Sequence, residues 1–347
     1  MTDLDLSVVI VSHNGEALLR DCLASLHRTS GGLRLEVFVV DSASSEPIGE
    51  MVRREFPGVR LIEGRGNLGF SAGNNAALGL CRGRCVLLLN PDTVVHAGAL
   101  EAMVRYLDGH GAVGAVGPAL RLADGTIQLE AARNLPTLGR IVPWMLLLDK
   151  LQWRFLHRQR RRSVADPPPR GFLLDRYCLF YWDRDAACSV EALCGACMMM
   201  PLEVVRRVGL LDEAVPLYLD DMDYCRRIRD AGCELHYLPH AAVTHLAGRS
   251  TSRLKRAGDL YAMQCHALYV YFRKHEPFPS APAFALLVAA AAAARLAVWG
   301  LPALLSREAR RRAAMGLALA RWAIRFPKRA PRMGFVCEQR AAGGAAV

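Results

Sequence analysis

The feature that most constrains this chain is a set of short apolar runs alternating with helix-type patterns over roughly the first 115 residues. Residues 6–11 (LSVVIV), 35–40 (LEVFVV) and 85–89 (CVLLL) have the character of strands covered on both faces, and residues 59–62 make a shorter one. Residues 15–28 place Leu18, Leu19, Cys22, Leu23 and Leu26 at helical spacing; residues 71–80 form a small-residue helix and residues 97–107 another. Strands and helices alternating at this scale predict an α/β fold, a parallel sheet with helices on both faces. Such sheets bind ligands beyond the carboxyl ends of their strands. Polar groups stand at those ends: Ser12, His13 and Asn14 after the first run, Asp41 and Ser42 after the second, Asn90 and Asp92 after the fourth.

The second half is less regular. Residues 120–129 (LRLADGTIQL) predict a hairpin turning at Asp124-Gly125. Residues 136–190 read as an insertion, holding an apolar stretch, a basic run from Arg154 to Arg162, and Pro167-Pro168-Pro169, which interrupts any regular element. Residues 201–211 and 220–231 are expected to be helices, the second opening with three acids in four residues and stopping at Gly232. A short strand at 235–238 precedes Val243, Thr244 and His245.

At 52% hydrophobic and 22% charged, the chain can build a core and is not of the disordered class. No signal-peptide pattern opens it, so secretion is not expected. Its 11 cysteines form no regular framework and suit a reducing cytosol. Cys194 and Cys197 make a CxxC, but no second pair follows at zinc spacing and the flanks are apolar, so they read as packing residues. The net charge is +11, and between Arg295 and Arg340 there are 11 Lys/Arg against 2 Asp/Glu. Cations beside apolar stretches point to an anionic membrane surface; no nucleic-acid motif accompanies them. The apolar segment 283–305 reaches a spanning length of about 20 residues only with Arg295 at its centre, which is costly. It is therefore expected to lie on the membrane or re-enter it, followed by a surface helix at 306–326.

Several polar groups suggest chemistry. Asp41 suits the ring N–H of uracil or thymine, although Asp-Ser-Ala-Ser-Ser is also good turn chemistry. Residues 67–75 form a loop entering a helix, with Gly69 and Gly73 permitting close backbone approach. Asp92 suits a hard divalent cation shared with substrate phosphates, or equally a helix N-cap. Asp220, Asp221 and Asp223 exceed what a helix start needs, and like charges this close raise one another's pKa, which suits a general base.

In their order and spacing these residues resemble the inverting GT-A glycosyltransferases of family 2, in the bacterial rhamnosyltransferase-like branch, over about residues 6–251. The resemblance rests on Val11-Ser12-His13-Asn14-Gly15, Val40-Asp41-Ser42, Asn67-Leu68-Gly69-Phe70, Asn74-Asn75 and Leu89-Asn90-Pro91-Asp92. It continues through Cys194-Gly195-Ala196-Cys197, Gly209-Leu210-Leu211-Asp212, Tyr218-Leu219-Asp220-Asp221-Met222-Asp223 and Val243-Thr244-His245. It implies a GT-A (Rossmann-like) catalytic domain at 1–255, its nucleotide-sugar half at 1–115 and its acceptor half at 116–255, with a helical membrane-associating region at 256–347. It implies transfer of a sugar, rhamnose as first candidate, from a dTDP- or UDP-linked donor. The implied acceptor is a glycan or lipid-pyrophosphate-linked glycan, and the setting cell-surface polysaccharide synthesis at the cytoplasmic face of the membrane. Asp41 would contact the base; Ser12, His13, Asn14, Ser42, Asn67, Gly69, Asn75 and Asn90 would line the donor site. Asp92 and His245 would hold Mg²⁺ or Mn²⁺. Asp221 would be the catalytic base, with Asp220 standing where the branch usually has Glu. A non-catalytic sugar-nucleotide or glycan-binding protein on the same fold is the alternative; it predicts lost acids, yet Asp92, Asp221 and His245 are present. A pyrophosphorylase would want a Gly-rich basic loop near the N-terminus, and residues 7–20 hold none.

Overall fold

The computed structural model describes residues 4–145, 184–215, 219–246, 257–302 and 306–325. The apolar runs become strands β1 (Leu6–Ser12), β2 (Leu35–Asp41), β3 (Arg60–Glu63) and β4 (Cys85–Leu89), parallel in the order β3-β2-β1-β4. Val8, Val9 and Ile10 on β1 and Val86, Leu87 and Leu88 on β4 are wholly buried, each worth about 1.5–3 kcal/mol of transfer free energy. Helices α1 (Glu16–Arg28), α2 (Ile48–Glu55), α3 (Gly69–Leu78) and α4 (Ala99–Gly109) cover the sheet. Leu19, Cys22, Leu23 and Leu26 of α1 face inward, as their spacing predicts.

Helix α3 packs closely on β1 because residue 73 has no side chain: a Cβ there would lie 2.5 Å from Val11 Cγ1. Gly73→Ala is expected to cost about 1–3 kcal/mol through overpacking. Urea unfolding should show it as a lower midpoint at unchanged slope.

Beyond β4 the sheet departs from the all-parallel expectation. Among the described residues it contains nine strands, ordered β3-β2-β1-β4-β10-β6-β11-β5, with β8 paired to β11. The added strands are β5 (Thr93–Val95), β6 (Val113–Arg121), β8 (Cys188–Val190), β10 (Cys197–Pro201) and β11 (Glu234–His245), and β7 (Ala132–Arg133) pairs with β9 (Ala192–Leu193) in a small second sheet. β10 runs antiparallel between β4 and β6. Its Met198, Met199 and Met200 are fully buried, but three unbranched methionines ending in proline carry no strand signature. β11 is twelve residues long, not four; it continues past a register shift between Leu238 and Ala242. The hairpin expected at 120–129 is one bridge deep, Arg121 to Ile127, and leads into a 3₁₀ turn at Leu129–Ala131. Within the expected insertion, α5 (Leu138–Met145) and β8 are described, and β8 belongs to the central sheet. The basic run and the three prolines lie outside the described residues.

Helices α6 (Leu202–Val208) and α7 (Asp220–Asp230) agree with expectation. Among the described residues the C-terminal part forms three helices, α8 (Ala257–His275), α9 (Ser280–Trp299) and α10 (Arg307–Arg325), within the region expected to be helical. Phe272 of α8 meets Phe284 of α9 at 5.2 Å between ring centroids, and Trp322 of α10 lies 6.3 Å from Tyr269 and 6.4 Å from Phe284.

An ionic latch ties this unit to α7. Asp223, its side chain 1% exposed, lies 2.7 Å from Lys274 Nζ, 2.7 Å from His275 Nε2 and 3.0 Å from Arg227 Nε. Lys274 also reaches Asp212 at 2.6 Å. Burial alone would raise the Asp223 pKa; His275, Lys274 and Arg227 outweigh it and hold the carboxyl below its ordinary 3.8. A carboxyl with a depressed folded pKa stabilises above its unfolded value and loses that contribution as pH falls through the folded one. Asp223→Asn is therefore expected to cost about 2–3 kcal/mol at pH 7, less than a fully buried pair because Lys274 and Arg227 keep some water contact. Denaturation at pH 7 and at pH 3 should show the gap between variant and wild type narrowing with acid.

Candidate active site

The carboxyl ends of β1 and β2 are laced together by their own side chains. Asn14 adopts a left-handed φ of 62°, and its Oδ1 accepts from Ser45 N at 2.8 Å and Ser45 Oγ at 2.9 Å. His13 Nδ1 lies 2.8 Å from the Ser42 carbonyl. The carbonyl can only accept, so Nδ1 carries the proton. Ser12 is buried and its Oγ donates to Asn14 O at 3.3 Å. Ser42 Oγ accepts from Leu68 N at 2.6 Å and donates to Asn67 Oδ1 at 3.3 Å, and Asn67 Oδ1 accepts from Gly69 N at 3.0 Å. Gly69, at φ 70°, opens α3 in a conformation that favours glycine. Asp41 realises the turn chemistry, with Oδ1 accepting from Ser44 N at 3.0 Å. Its other oxygen takes no hydrogen bond among the described residues.

Asn75, expected at the donor sugar, is placed differently. Its Nδ2 donates to Leu211 O and Glu213 Oε1 at 2.9 Å each, and its Oδ1 accepts from Leu211 N at 3.0 Å. With the amide occupied at both ends, Asn75 ties α3 to the loop after α6.

A second cluster forms where β4 ends. β5 follows Asp92 directly and pairs with β11, setting His245 opposite Thr93. This brings His245 Nε2 within 3.3 Å of Asp92 Oδ1. The helix-cap alternative fails, since the next helix starts at Ala99 with Gly98 as its cap. His245 Nδ1 lies 2.8 Å from Gln128 Oε1, which can only accept, so Nδ1 carries a proton and Nε2 is the ring atom turned to the carboxylate. Asn90 Nδ2 is 3.4 Å from the same Nε2. Asp92 Oδ1, 3.3 Å from that nitrogen, is a buried oxygen with no hydrogen-bond partner among the described residues. A carboxylate oxygen and an imidazole nitrogen buried this close call for a cation between them, a proton on Nε2 or a metal ion. An imidazole nitrogen and a carboxylate oxygen suit a divalent metal. Among the described residues no group of three His, Cys, Asp or Glu is placed to hold an ion. Two protein ligands fit a metal that completes its shell with substrate phosphates and water.

The third cluster opens α7. Asp220 and Asp221 are each 7% exposed. Asp221 Oδ2 is ion-paired to Arg133 of β7 and accepts from Gly195 N at 3.1 Å, while Oδ1 accepts from Met222 N at 2.8 Å. A Cβ at residue 195 would lie 2.8 Å from Phe70 Cζ and 3.2 Å from Asp221 Cβ, so only glycine lets this amide come so near. Asp220 Oδ1 accepts from Asp221 N at 3.1 Å. Burial, then the adjacent Asp221 charge, pushes the Asp220 pKa up to about 8. Asp220 is thus the carboxyl pushed toward its neutral form, while Asp221 is the one of the two that faces the Arg133 guanidinium.

Residues 7–177 match the family model described as Glycosyl transferase family 2. A Mycobacterium tuberculosis protein described as N-acetylglucosaminyl-diphospho-decaprenol L-rhamnosyltransferase is 27% identical over 267 residues, covering 73% of this chain and 79% of its own. Over that segment the chain is similar to glycosyltransferase family 2. An Escherichia coli rhamnosyltransferase, WbbL, is 23% identical over 248 residues, covering 69% of this chain and 83% of its own. A Pyrobaculum calidifontis mannosyltransferase, solved with GDP-Man and Mn²⁺, superposes with a TM-score of 0.50 at 19% identity, over 92% of this chain and 86% of that one. That likeness concerns the fold, which is of GT-A type.

Three supporting residues of this site carry no clear signal in the sequence. Glu46 caps α1 from a distance, Oε2 accepting from Gly15 N and Glu16 N at 2.8 Å each. Gln128 accepts from His245 Nδ1, and Arg133 holds Asp221. Only Arg133 left a trace, as a cation in the apolar stretch LEAARNLP, where a buried charge needs a partner. Cys194 and Cys197 are unpaired thiols, and burial pushes Cys194 up to about 12, in keeping with a packing role.

Proposed function

We propose that this glycosyltransferase moves a sugar, rhamnose first among the candidates, from a dTDP- or UDP-linked donor to a lipid-pyrophosphate-linked glycan, with inversion and with Mg²⁺ or Mn²⁺. The observation that carries the reading is the buried Asp92 oxygen, without a hydrogen-bond partner, 3.3 Å from His245 Nε2. The names of the mycobacterial and Escherichia coli relatives support rhamnose, and the former supports a diphospho-polyprenol acceptor. Synthesis of cell-surface polysaccharide at the cytoplasmic face of the membrane follows from that acceptor class, and the basic C-terminal helices supply the contact with anionic lipid.

Asp41, through its free oxygen, accepts the ring N–H of the pyrimidine. The loop joined by Ser42, Asn67 and Gly69 lines the donor beside Ser12, His13, Asn14 and Asn90. Asp92 and His245 would hold the metal, which when bound would supply positive charge beside the donor's diphosphate. Asp221 receives the proton of the acceptor hydroxyl as that oxygen attacks the anomeric carbon. One C–O bond forms, the bond to the nucleoside diphosphate breaks, and configuration inverts. Asp220, neutral, lies beside the base without competing for the same proton.

A thermal-shift titration with dTDP, UDP and GDP, each with and without Mn²⁺, tests the donor site. Saturation at 100 times the dissociation constant stabilises a fold by about 2.7 kcal/mol. Metal-dependent stabilisation by dTDP or UDP but not GDP is expected. Indifference to all three would remove the donor site and favour a glycan-binding role.

A further inference from the structure

The outward face of α9 carries no polar side chain. Phe278, just before it, is 89% exposed, Leu286 is 73%, Val298 is 53% and Leu301, just after it, is 79%. Every other exposed residue from 277 to 302 is Pro, Ala or Gly. A helix facing water carries polar groups outward; α9 alone, among the described residues, is long and apolar enough to cross a membrane.

Its inner face excludes that crossing. Arg295, 5% exposed, lies over the Tyr261 ring of α8 at 5.4 Å and reaches its hydroxyl at 3.4 Å. α10 runs back along the whole of α9: Arg312 sits over the Trp299 ring at 4.4 Å, a Cβ at Gly316 would meet Arg295 and Leu296 at 3.2 Å, and Trp322 reaches Phe284. A spanning α9 would drag α10 through hydrocarbon, and α10 exposes Glu308, Arg310 and Arg321 to its surroundings. Charges there are strongly disfavoured. α8 is tethered as well, its Lys274 and His275 bound to Asp223.

The exposed face of α10 shows what the neighbouring surface is. Arg310, Leu317, Arg321 and Ile324 follow at helical spacing on one stripe, alternating cation and apolar group. That pattern matches the boundary between anionic headgroups and acyl chains.

We infer that α9 lies in the plane of one leaflet, its outward face among acyl chains, while the α10 arginines engage anionic headgroups. This attachment enters one leaflet and does not cross the other. It rests on the membrane contact proposed above and adds its geometry. Through the Lys274–Asp223 latch it fixes α7, with Asp220 and Asp221, at a set height over the surface from which a lipid-linked acceptor would be taken.

Ser280→Cys and Ser306→Cys place one thiol at each end of α9. In full-length protein in bacterial membranes, a membrane-impermeant maleimide should label both from inverted vesicles and neither from right-side-out vesicles, above the wild-type background. Labelling of the two ends from opposite sides would establish a span, overturning the inference while keeping the membrane reading. Wild-type protein that neither sediments with membranes nor floats with liposomes would overturn both. Leu286→Glu and Leu301→Glu should each weaken flotation with phosphatidylglycerol-containing liposomes at least tenfold. They should leave a monodisperse monomer that still shows metal-dependent nucleotide stabilisation. Unchanged flotation, or a lipid-free wild-type dimer that Leu286→Glu dissociates, would overturn the embedded face.

Discussion

Asp92→Ala is expected to slow sugar transfer roughly 10²- to 10³-fold, the loss of about 3–4 kcal/mol of metal-borne charge stabilisation. It should also abolish the Mn²⁺-dependence of nucleotide stabilisation while leaving the apo protein at least as stable as wild type. The second expectation separates a metal ligand from a structural carboxylate. Asp92 Oδ1 is buried without a hydrogen-bond partner, 3.3 Å from His245 Nε2, so removing it forfeits no hydrogen bond. A structural Asp would lower the melting temperature on removal. Nucleotide titration with and without Mn²⁺, beside initial rates, reads both effects. A variant that melts far below wild type yet keeps metal-dependent binding would take Asp92 out of the metal site.

Asp221→Asn and Asp220→Asn should differ although the residues are adjacent. Asp221→Asn removes the proposed base and should cost roughly 10²- to 10⁴-fold in turnover. Asp220→Asn replaces a carboxyl that is already neutral at pH 7 with a neutral isostere, and should stay within about tenfold of wild type. The two can also be told apart by stability against pH. The folded pKa of Asp220 lies at about 8, above the ordinary 3.8. Between those values the folded state keeps a proton that the unfolded chain has released, so this group lowers stability as pH rises. Asp220→Asn should remove that loss and melt progressively higher than wild type from pH 5 toward pH 8. Equal activity losses in both variants, with no pH-dependent gain in Asp220→Asn, would undo the division of roles.

Legibility in the sequence followed how local each cause was. β1, β2 and β4 were readable because strands buried on both faces must be apolar throughout, and α1 because its buried leucines repeat at the helical period. The acids of α7 were readable as an excess over what a helix start needs, but Asp223 then took a structural role, since the helix that partners it lies some 50 residues on. β10 escaped because a methionine run has no strand preference. Its antiparallel place between β4 and β6 depends on the chain returning from residue 193, which no local pattern encodes. Asn75 was misplaced because an Asn after a glycine loop looks the same whether its amide faces a ligand or Leu211.

By itself the sequence determined the α/β class, the polar residues at the strand ends, and a basic, apolar C-terminal region, since periodicity and composition are properties of neighbouring residues. Only the tertiary structure decided what those groups meet. Pairing of β5 with β11 put His245 against Asp92, the small sheet of β7 and β9 brought Arg133 to Asp221, and packing of α10 along α9 buried Arg295 and left one apolar face outward. Each joins residues far apart in the chain. The preference for such a contact lies in geometry and desolvation at the meeting point, which exist only once the fold has closed.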